Sequence, residues 1–172
     1  MDKVLARFLE RQCEAAMRFA AESDLLDVEA LDTPAQHYLA RFHCRGLVRA
    51  ADGSIIEAEG FDVGIWLSDD YLMEIEPLRI ATWLGPPNVF HPQIRPPFMC
   101  LGHLMLGTPL VEILTQIWSV ITYRKVTVRE DDALNPAACA WARHNLHRFP
   151  IDKRLLKRRA FDVKVDPLEA KP

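Results

Sequence analysis

The chain has 172 residues, of which 49% are hydrophobic and 26% charged, and its net charge is −3. This length and composition suffice to bury one substantial core, so we expect a single domain over residues 1–172. Nothing in the charge points to nucleic acid or a membrane surface as a partner, and no apolar run approaches the roughly 20 residues of a membrane span.

The N-terminus has scattered charges and no apolar stretch of the signal-peptide kind. The four cysteines lie far apart, without a C-x-x-C pair, at Cys13, Cys44, Cys100 and Cys139. Such spacing is typical of free thiols rather than of a disulfide framework or a zinc site. We therefore expect a cytoplasmic protein.

The predicted elements begin with a helix. Apolar residues recur at three- and four-residue steps over residues 3–23, which predicts an amphipathic helix. After a break at Thr33-Pro34, β-compatible stretches occupy residues 37–49. Further strand-like runs, which together predict a β-meander, lie at residues 54–59, 61–67, 71–75 and 78–83.

Six of the 12 prolines fall within residues 77–97, which argues against a regular helix or central strand there. Helical periodicity returns from Pro109, a residue suited to a first helical turn. Asn135 is a good N-cap, and a helix is predicted from there to about residue 148. Residues 152–160 suggest a last short basic helix, which opens a basic tail over residues 152–172. This order, with the strands before the later helices, predicts an α+β fold.

The most informative stretch is residues 88–101, in which a single thiol, Cys100, follows a His91-Pro92-Gln93 step and a Pro-Pro step. This stretch resembles the active-site segment of ubiquitin-conjugating enzymes. There, a His-Pro-Asn turn precedes an apolar residue, the catalytic Cys and a Leu. Here Gln93 stands in place of the Asn, and the interval to Cys100 is one residue shorter.

Two further segments fit the same family at compatible spacings. Residues 106–110 occupy the place of the loop that starts the central helix, without the Trp that the family has there. Residues 130–138 read Glu-Asp-Asp-Ala-Leu-Asn-Pro-Ala-Ala and match the family's acidic loop and Ala-rich helix. The resemblance covers residues 75–146. The Arg-rich composition favours the bacterial relatives, which are often linked to antiphage defence.

The resemblance implies the ubiquitin-conjugating fold. This fold has an N-terminal helix, a four-stranded antiparallel meander, an active-site loop, and central and C-terminal helices. The resemblance also implies that Cys100 accepts a ubiquitin-like protein as a thioester from an activating enzyme and transfers it to an amine on a target protein. It implies no metal and no cofactor for this step, because ATP is used by the activating enzyme.

Roles for the side chains around the thiol follow from the same resemblance. Gln93 is expected to donate a hydrogen bond to the oxyanion that forms during acyl transfer. His91 is expected to hold the loop. Asp131 and Asp132 match the acidic loop that orients the attacking lysine and helps to take its proton. The sequence does not separate these two carboxylates, although the position of Asp131 is slightly favoured.

The exposed side of the first helix carries Arg7, Arg11 and Arg18. In the family this helix helps to bind the activating enzyme, so these residues are candidates for that contact. The alternative is an ordinary solvated helix face. The two acidic residues have the same alternative, as part of a solvated loop.

Two other classes of protein stay open. One is an inactive variant of the conjugating fold that acts only as a binding module; the shortened loop and Gln93 favour it mildly. The other is an unrelated cysteine hydrolase that pairs Cys100 with His91 or His103. No known cysteine-peptidase signature surrounds Cys100, which argues against the hydrolase.

Overall fold

The structure is a computed structural model that describes residues 3–157. Within this range it is an α+β arrangement with one antiparallel sheet. The helices are α1 (Lys3–Ala21), α2 (Pro77–Ile80), α3 (Leu110–Ile121) and α4 (Pro136–His144). The strands are β1 (Leu26–Ala30), β2 (His37–Arg49), β3 (Ile55–Trp66), β4 (Ala81–Gly85), β5 (Ile94–Arg95) and β6 (Phe98–Met99).

The sheet order is β1-β2-β3-β4-β6-β5, so the first four strands form a meander. Its members differ from the predicted ones. The strand β1 was not predicted, and the runs at 54–59 and 61–67 are parts of the single strand β3. The short pair β5 and β6 extends the meander and leads directly to Cys100.

Two strand predictions were wrong. Residues 71–75 are not a strand, because turns fold the segment back: the backbone N–H groups of Tyr71 and Met73 donate to the carbonyls of Ser68 and Asp70. The run at 78–83 is divided, with Pro77 opening the one-turn helix α2 before β4 begins. A proline at the first helical position loses no intrahelical hydrogen bond, which suits that start.

Three of the predicted helices are confirmed, with shorter bounds. Helix α1 ends two residues early and buries Leu5, Leu9 and Ala16. In α4 the Oδ1 atom of Asn135 accepts the N–H of Ala138 at 3.1 Å, which confirms the predicted N-cap. The helix then stops at residue 144 and a separate 3-10 turn follows.

The predicted C-terminal helix is wrong over residues 152–157, which are irregular. The remainder of that prediction, and most of the basic tail, lie outside the described residues. The segment is instead tied down by the buried side chain of Asp152, which accepts the backbone N–H groups of Arg45 and Arg154.

Buried side chains form two clusters. The larger one lies where α1 and α3 pack on one face of the sheet. The smaller one includes Phe90, the residue directly before the His-Pro-Gln step. Its members are Leu47, Phe90, Tyr123, Ala138, Ala142 and Ile151. Within residues 3–157, no helix combines the length and the apolar character that crossing a membrane requires.

Candidate active site

Cys100 lies immediately after β6 and is half-buried. Its backbone N–H donates to the carbonyl of Gln93 at 2.9 Å, so the thiol-bearing residue is fixed to the His-Pro-Gln step. The β5–β6 hairpin makes this return possible, since Ile94 pairs with Met99 and Arg95 with Phe98. The structure thus places this step and the thiol-bearing residue in direct contact.

The side-chain amide of Gln93 lies against the backbone of Cys100. Its Nε2 atom donates to the Cys100 carbonyl at 3.1 Å, and the residue is only 6% exposed. An amide nitrogen carries two hydrogens, so one N–H donor remains after this bond. The Oε1 atom is buried and has no hydrogen-bond partner among the described residues. The amide of Gln93 thus reaches the backbone of the thiol-bearing residue itself.

His91 is a neutral, structural residue. Its Nδ1 atom accepts the backbone N–H of Gln93 at 3.0 Å, and the ring is 1% exposed. Complete burial lowers the pKa of His91 to about 3. Because the imidazole stays uncharged, shapes the turn and makes no hydrogen bond to the thiol, it is a poor candidate for the base of a hydrolase.

His103, the other histidine considered as a thiol partner, is exposed. Within residues 3–157 it makes no hydrogen bond to Cys100. The geometry therefore does not assemble a cysteine–histidine pair from either residue.

The acidic turn Glu130–Asp132 is a short 3-10 helix on the surface. Arg129 forms ion pairs with both carboxylates that were predicted to act at the site. Its Nη2 atom lies 2.6 Å from Asp131 Oδ2, and its Nε atom lies 3.4 Å from Asp132 Oδ2. The hydrogen bond from Arg129 holds the pKa of Asp131 below its usual value. The carboxylate of Asp131 is therefore ionised at neutral pH, and both acidic side chains are already paired with the Arg129 guanidinium.

A backbone contact brings this turn to the site. The N–H of Asn135 donates to the Pro92 carbonyl at 3.0 Å, while Cys100 donates to the next carbonyl, that of Gln93. Neighbouring carbonyl oxygens lie only a few ångströms apart, so the backbone of Asn135 lies on the order of 10 Å from that of Cys100. The resemblance of the two motifs to one family implied this proximity.

Sequence reasoning missed two residues of the turn that follows α3. Tyr123 has a φ of 59°, its hydroxyl donates to the Phe90 carbonyl, and its ring packs against His91 with centroids 4.3 Å apart. Lys125 donates from Nζ to the carbonyl of Leu101, the residue after the thiol. These contacts span more than twenty residues, and no local pattern in the sequence signals them.

The arginines of α1 lie apart from this site. Arg7, Arg11 and Arg18 are exposed, and no hydrogen bond or ion pair within residues 3–157 joins them to the segment around Cys100. Arg7 and Arg11 border an open groove of about 690 Å³, whose apolar floor is formed by Phe8 and Leu72. Arg18 does not border it. The three residues predicted as one set are thus divided between a groove and an open helix face.

The remaining cysteines do not extend the site. Cys44 and Cys139 are buried, and burial raises the pKa of the Cys44 thiol to about 12. Cys13 is half-buried on α1. In the described part of the chain, no three side chains of His, Cys, Asp or Glu are grouped as a metal ion would require.

Comparison of the sequence with protein-family models and with curated proteins gives no match. The interpretation of the site therefore depends on the chemistry of the residues around Cys100.

Proposed function

We propose that this protein is a conjugating enzyme of the ubiquitin type, built on the ubiquitin-conjugating fold. Cys100 accepts a ubiquitin-like protein as a thioester from an activating enzyme and transfers it to an amine on a protein target. The observation that carries the proposal is the contact between Gln93 and Cys100, in which a side-chain amide donates to the backbone carbonyl of a residue with a half-buried thiol. The motif resemblance supports a bacterial, cytoplasmic conjugation pathway of the antiphage type.

The charging step is a transthiolation. The thiolate of Cys100 attacks the thioester carbonyl of the activated cargo, and a tetrahedral intermediate with an oxyanion forms. Its collapse breaks the C–S bond to the activating enzyme, whose cysteine leaves as a thiolate. In the discharge step that follows, the remaining N–H of Gln93 stabilises the corresponding oxyanion, a contribution of roughly 3 kcal/mol in comparable acyl-transfer sites.

The discharge step is an aminolysis. A target amine attacks the Cys100 thioester, the C–S bond breaks, and an amide bond replaces it. Because lysine is mostly protonated at neutral pH, the amine must lose a proton before it attacks. Asp131 and Asp132 can bind the incoming ammonium and orient it, since both are exposed acidic side chains.

A thioester-charging assay tests the proposal. The protein is mixed with the cognate activating enzyme, the ubiquitin-like protein and ATP, and the products are separated with and without a thiol reductant. We expect a reductant-sensitive adduct that disappears in Cys100→Ala and persists in the matched control Cys13→Ala. No adduct, from an activating enzyme that is shown to charge itself, would refute the proposal.

The acidic turn predicts opposite effects of two substitutions on discharge. Asp131→Asn should slow transfer to free lysine about tenfold, because a carboxylate that orients the amine is lost. Arg129→Gln should speed the same transfer roughly two- to fivefold, because it frees both carboxylates for the amine. Single-turnover discharge of pre-charged protein measures both rates. Equal rates in all three proteins would mean that the turn is only a solvated loop.

The groove on α1 predicts different effects of two matched charge reversals. Arg11→Glu should raise the concentration of activating enzyme needed for half-maximal charging about tenfold, because Arg11 borders the groove. Arg18→Glu makes the same change on the same exposed helix, outside the groove, and should have a smaller effect. If Arg18→Glu weakens charging as much as Arg11→Glu, the docking surface extends along the whole helix face.

A binding module on the same fold is the second candidate. The ion pairs of Arg129 favour it, because they occupy the two carboxylates that discharge requires. A module of this kind would bind the ubiquitin-like protein without forming any adduct at Cys100, so the charging assay separates the two candidates.

A further inference from the structure

The turn after α3 directs a lysine toward the active-site thiol. Tyr123 adopts a left-handed backbone conformation, with φ at 59°, and the N–H of Lys125 then donates back to the Ser119 carbonyl at 2.9 Å. This reversal sends the side chain of Lys125 toward the segment that follows Cys100. The same turn therefore supports the site from two sides, through Tyr123 at Phe90 and through Lys125 at Leu101.

The ammonium group of Lys125 is held by neutral groups. Its Nζ atom donates to the Leu101 carbonyl and, at 3.2 Å, to Gln116 Oε1. The residue is half-buried, and within residues 3–157 no carboxylate forms an ion pair with it. Its positive charge is therefore not compensated locally, although it is partly removed from water.

Gly102 makes this approach possible. Its φ is +80°, and a Cβ atom at this position would lie 3.1 Å from Lys125 Nζ, closer than ordinary van der Waals contact. A glycine two residues after the thiol thus has two effects. It allows the left-handed backbone conformation, and its missing side chain leaves room for the ammonium group.

We infer that Lys125 is a positioning residue for Cys100. It fixes the backbone directly after the thiol and places an uncompensated positive charge on the order of 10 Å from Sγ, since Nζ contacts the very next carbonyl. A positive charge at this distance favours anions at the thiol: the thiolate, an incoming anionic reagent and the oxyanion of acyl transfer. The catalytic consequence rests on the proposed function, but the charge relation between Lys125 and Cys100 does not.

Two alkylating reagents of similar size test the charge relation without any partner protein. Iodoacetate is anionic and iodoacetamide is neutral, and both react with the same thiolate. The ratio of their rate constants at Cys100 therefore reports the local electrostatic potential and not the fraction of thiolate. Peptide mass spectrometry assigns the modification to Cys100 and separates it from the half-buried Cys13.

Lys125→Met removes the charge and keeps an unbranched chain. We expect the iodoacetate-to-iodoacetamide ratio to fall about two- to fivefold, whereas Lys125→Arg retains the wild-type ratio. Lys153→Met, which removes one exposed lysine elsewhere, is the matched control and should leave the ratio unchanged. Arg95, an exposed cation on the hairpin before the thiol, is present in every variant and cancels in the comparison.

An unchanged ratio in natively folded Lys125→Met overturns the inference. If this variant does not fold, Lys125→Gln decides, because it keeps an N–H donor without the charge. The two proposals can also be refuted separately. If the wild-type protein forms no thioester, the conjugating function is refuted, but the alkylation ratio still tests the charge relation between Lys125 and Cys100. A normal thioester with an unchanged ratio would refute only the role of Lys125.

Discussion

Replacing Gln93 by Ala should slow discharge of the Cys100 thioester about 100-fold, a size typical for loss of one oxyanion donor. The side chain is buried against the backbone of Cys100 and keeps one N–H donor after its bond to the Cys100 carbonyl. Charging should slow less, because the proposal assigns this donor to the oxyanion that forms when the amine attacks the Cys100 thioester. Single-turnover rates of both steps, measured on the same preparation, check this difference.

Two further variants separate the oxyanion role from a loop-holding role. Gln93→Glu keeps the size of the side chain and loses both amide donors, so it should slow discharge as Gln93→Ala does. Gln93→Asn keeps the donors on a shorter chain and should recover part of the rate. Equal slowing of charging and discharge in Gln93→Ala would contradict the oxyanion role and leave Gln93 as a residue that only shapes the loop.

The second large effect concerns stability and depends on Asp152. The pairing of β2 with β3 shifts register between Phe42 and Arg45, and the carboxylate of Asp152 accepts the Arg45 N–H at 2.8 Å next to this shift. It also accepts the backbone N–H of Arg154 at 2.9 Å and forms an ion pair with its guanidinium at 2.7 Å. The side chain is fully buried, so these donors depend on it.

Asp152→Ala should reduce the free energy of unfolding by about 3 kcal/mol, because it leaves two partly buried backbone donors without a partner and removes a buried ion-pair member. Chemical denaturation at pH 7 measures this change. The neighbouring exposed residue provides the control: Lys153→Ala should change stability by no more than about 0.5 kcal/mol. A small effect of Asp152→Ala would mean that the C-terminal segment is not held by this carboxylate.

The same carboxylate predicts a pH dependence. Burial alone would raise the pKa of Asp152, but the hydrogen bonds from Arg154 and Arg45 more than offset it and lower the pKa to about 2, from 3.8. A lowered pKa stabilises the folded state above pH 3.8, by about 2 kcal/mol, and this contribution is lost as the pH falls through 2. The stability difference between wild type and Asp152→Asn should therefore shrink over that interval. A constant difference would contradict the low pKa.

The helices could be predicted from sequence because their apolar residues repeat with helical periodicity. In α3, seven residues of twelve are buried, and their three- and four-residue spacing indicates a helix. The strands were harder. Residues 71–75 have a strand-like composition, yet the hydroxyl of Tyr71 donates to the Thr108 carbonyl at 2.7 Å, and local turns replace the strand. That long-range contact has no counterpart in the local sequence.

The sequence Leu-Asp-Val-Glu-Ala of β1 alternates apolar and acidic residues, a pattern that is typical of a half-buried strand. The burial of its side chains follows the same two-residue period. Short segments that carry two acidic residues give only a weak strand signal. In the structure this segment forms a strand, because its apolar side chains pack against the core.

At the site, the sequence predicted those residues that belong to one local motif. Cys100 and Gln93 are joined by the hairpin between them. The acidic turn was expected there from the family resemblance, and the backbone of Asn135 joins it to Pro92. The contacts of Arg129, Tyr123 and Lys125 were not predicted, because each depends on how a loop returns to the site. The charge environment of the thiol, unlike its identity, is a property of the fold.

The most direct test of the central claim is to locate the covalent bond. Cys100→Ser is charged with the ubiquitin-like protein, and the resulting adduct is digested and analysed by mass spectrometry. The account predicts a reductant-resistant ester that joins the C-terminal carboxyl of the cargo to residue 100, with the loss of one water. An adduct at any other residue, or none at all beside a functional activating enzyme, would contradict it.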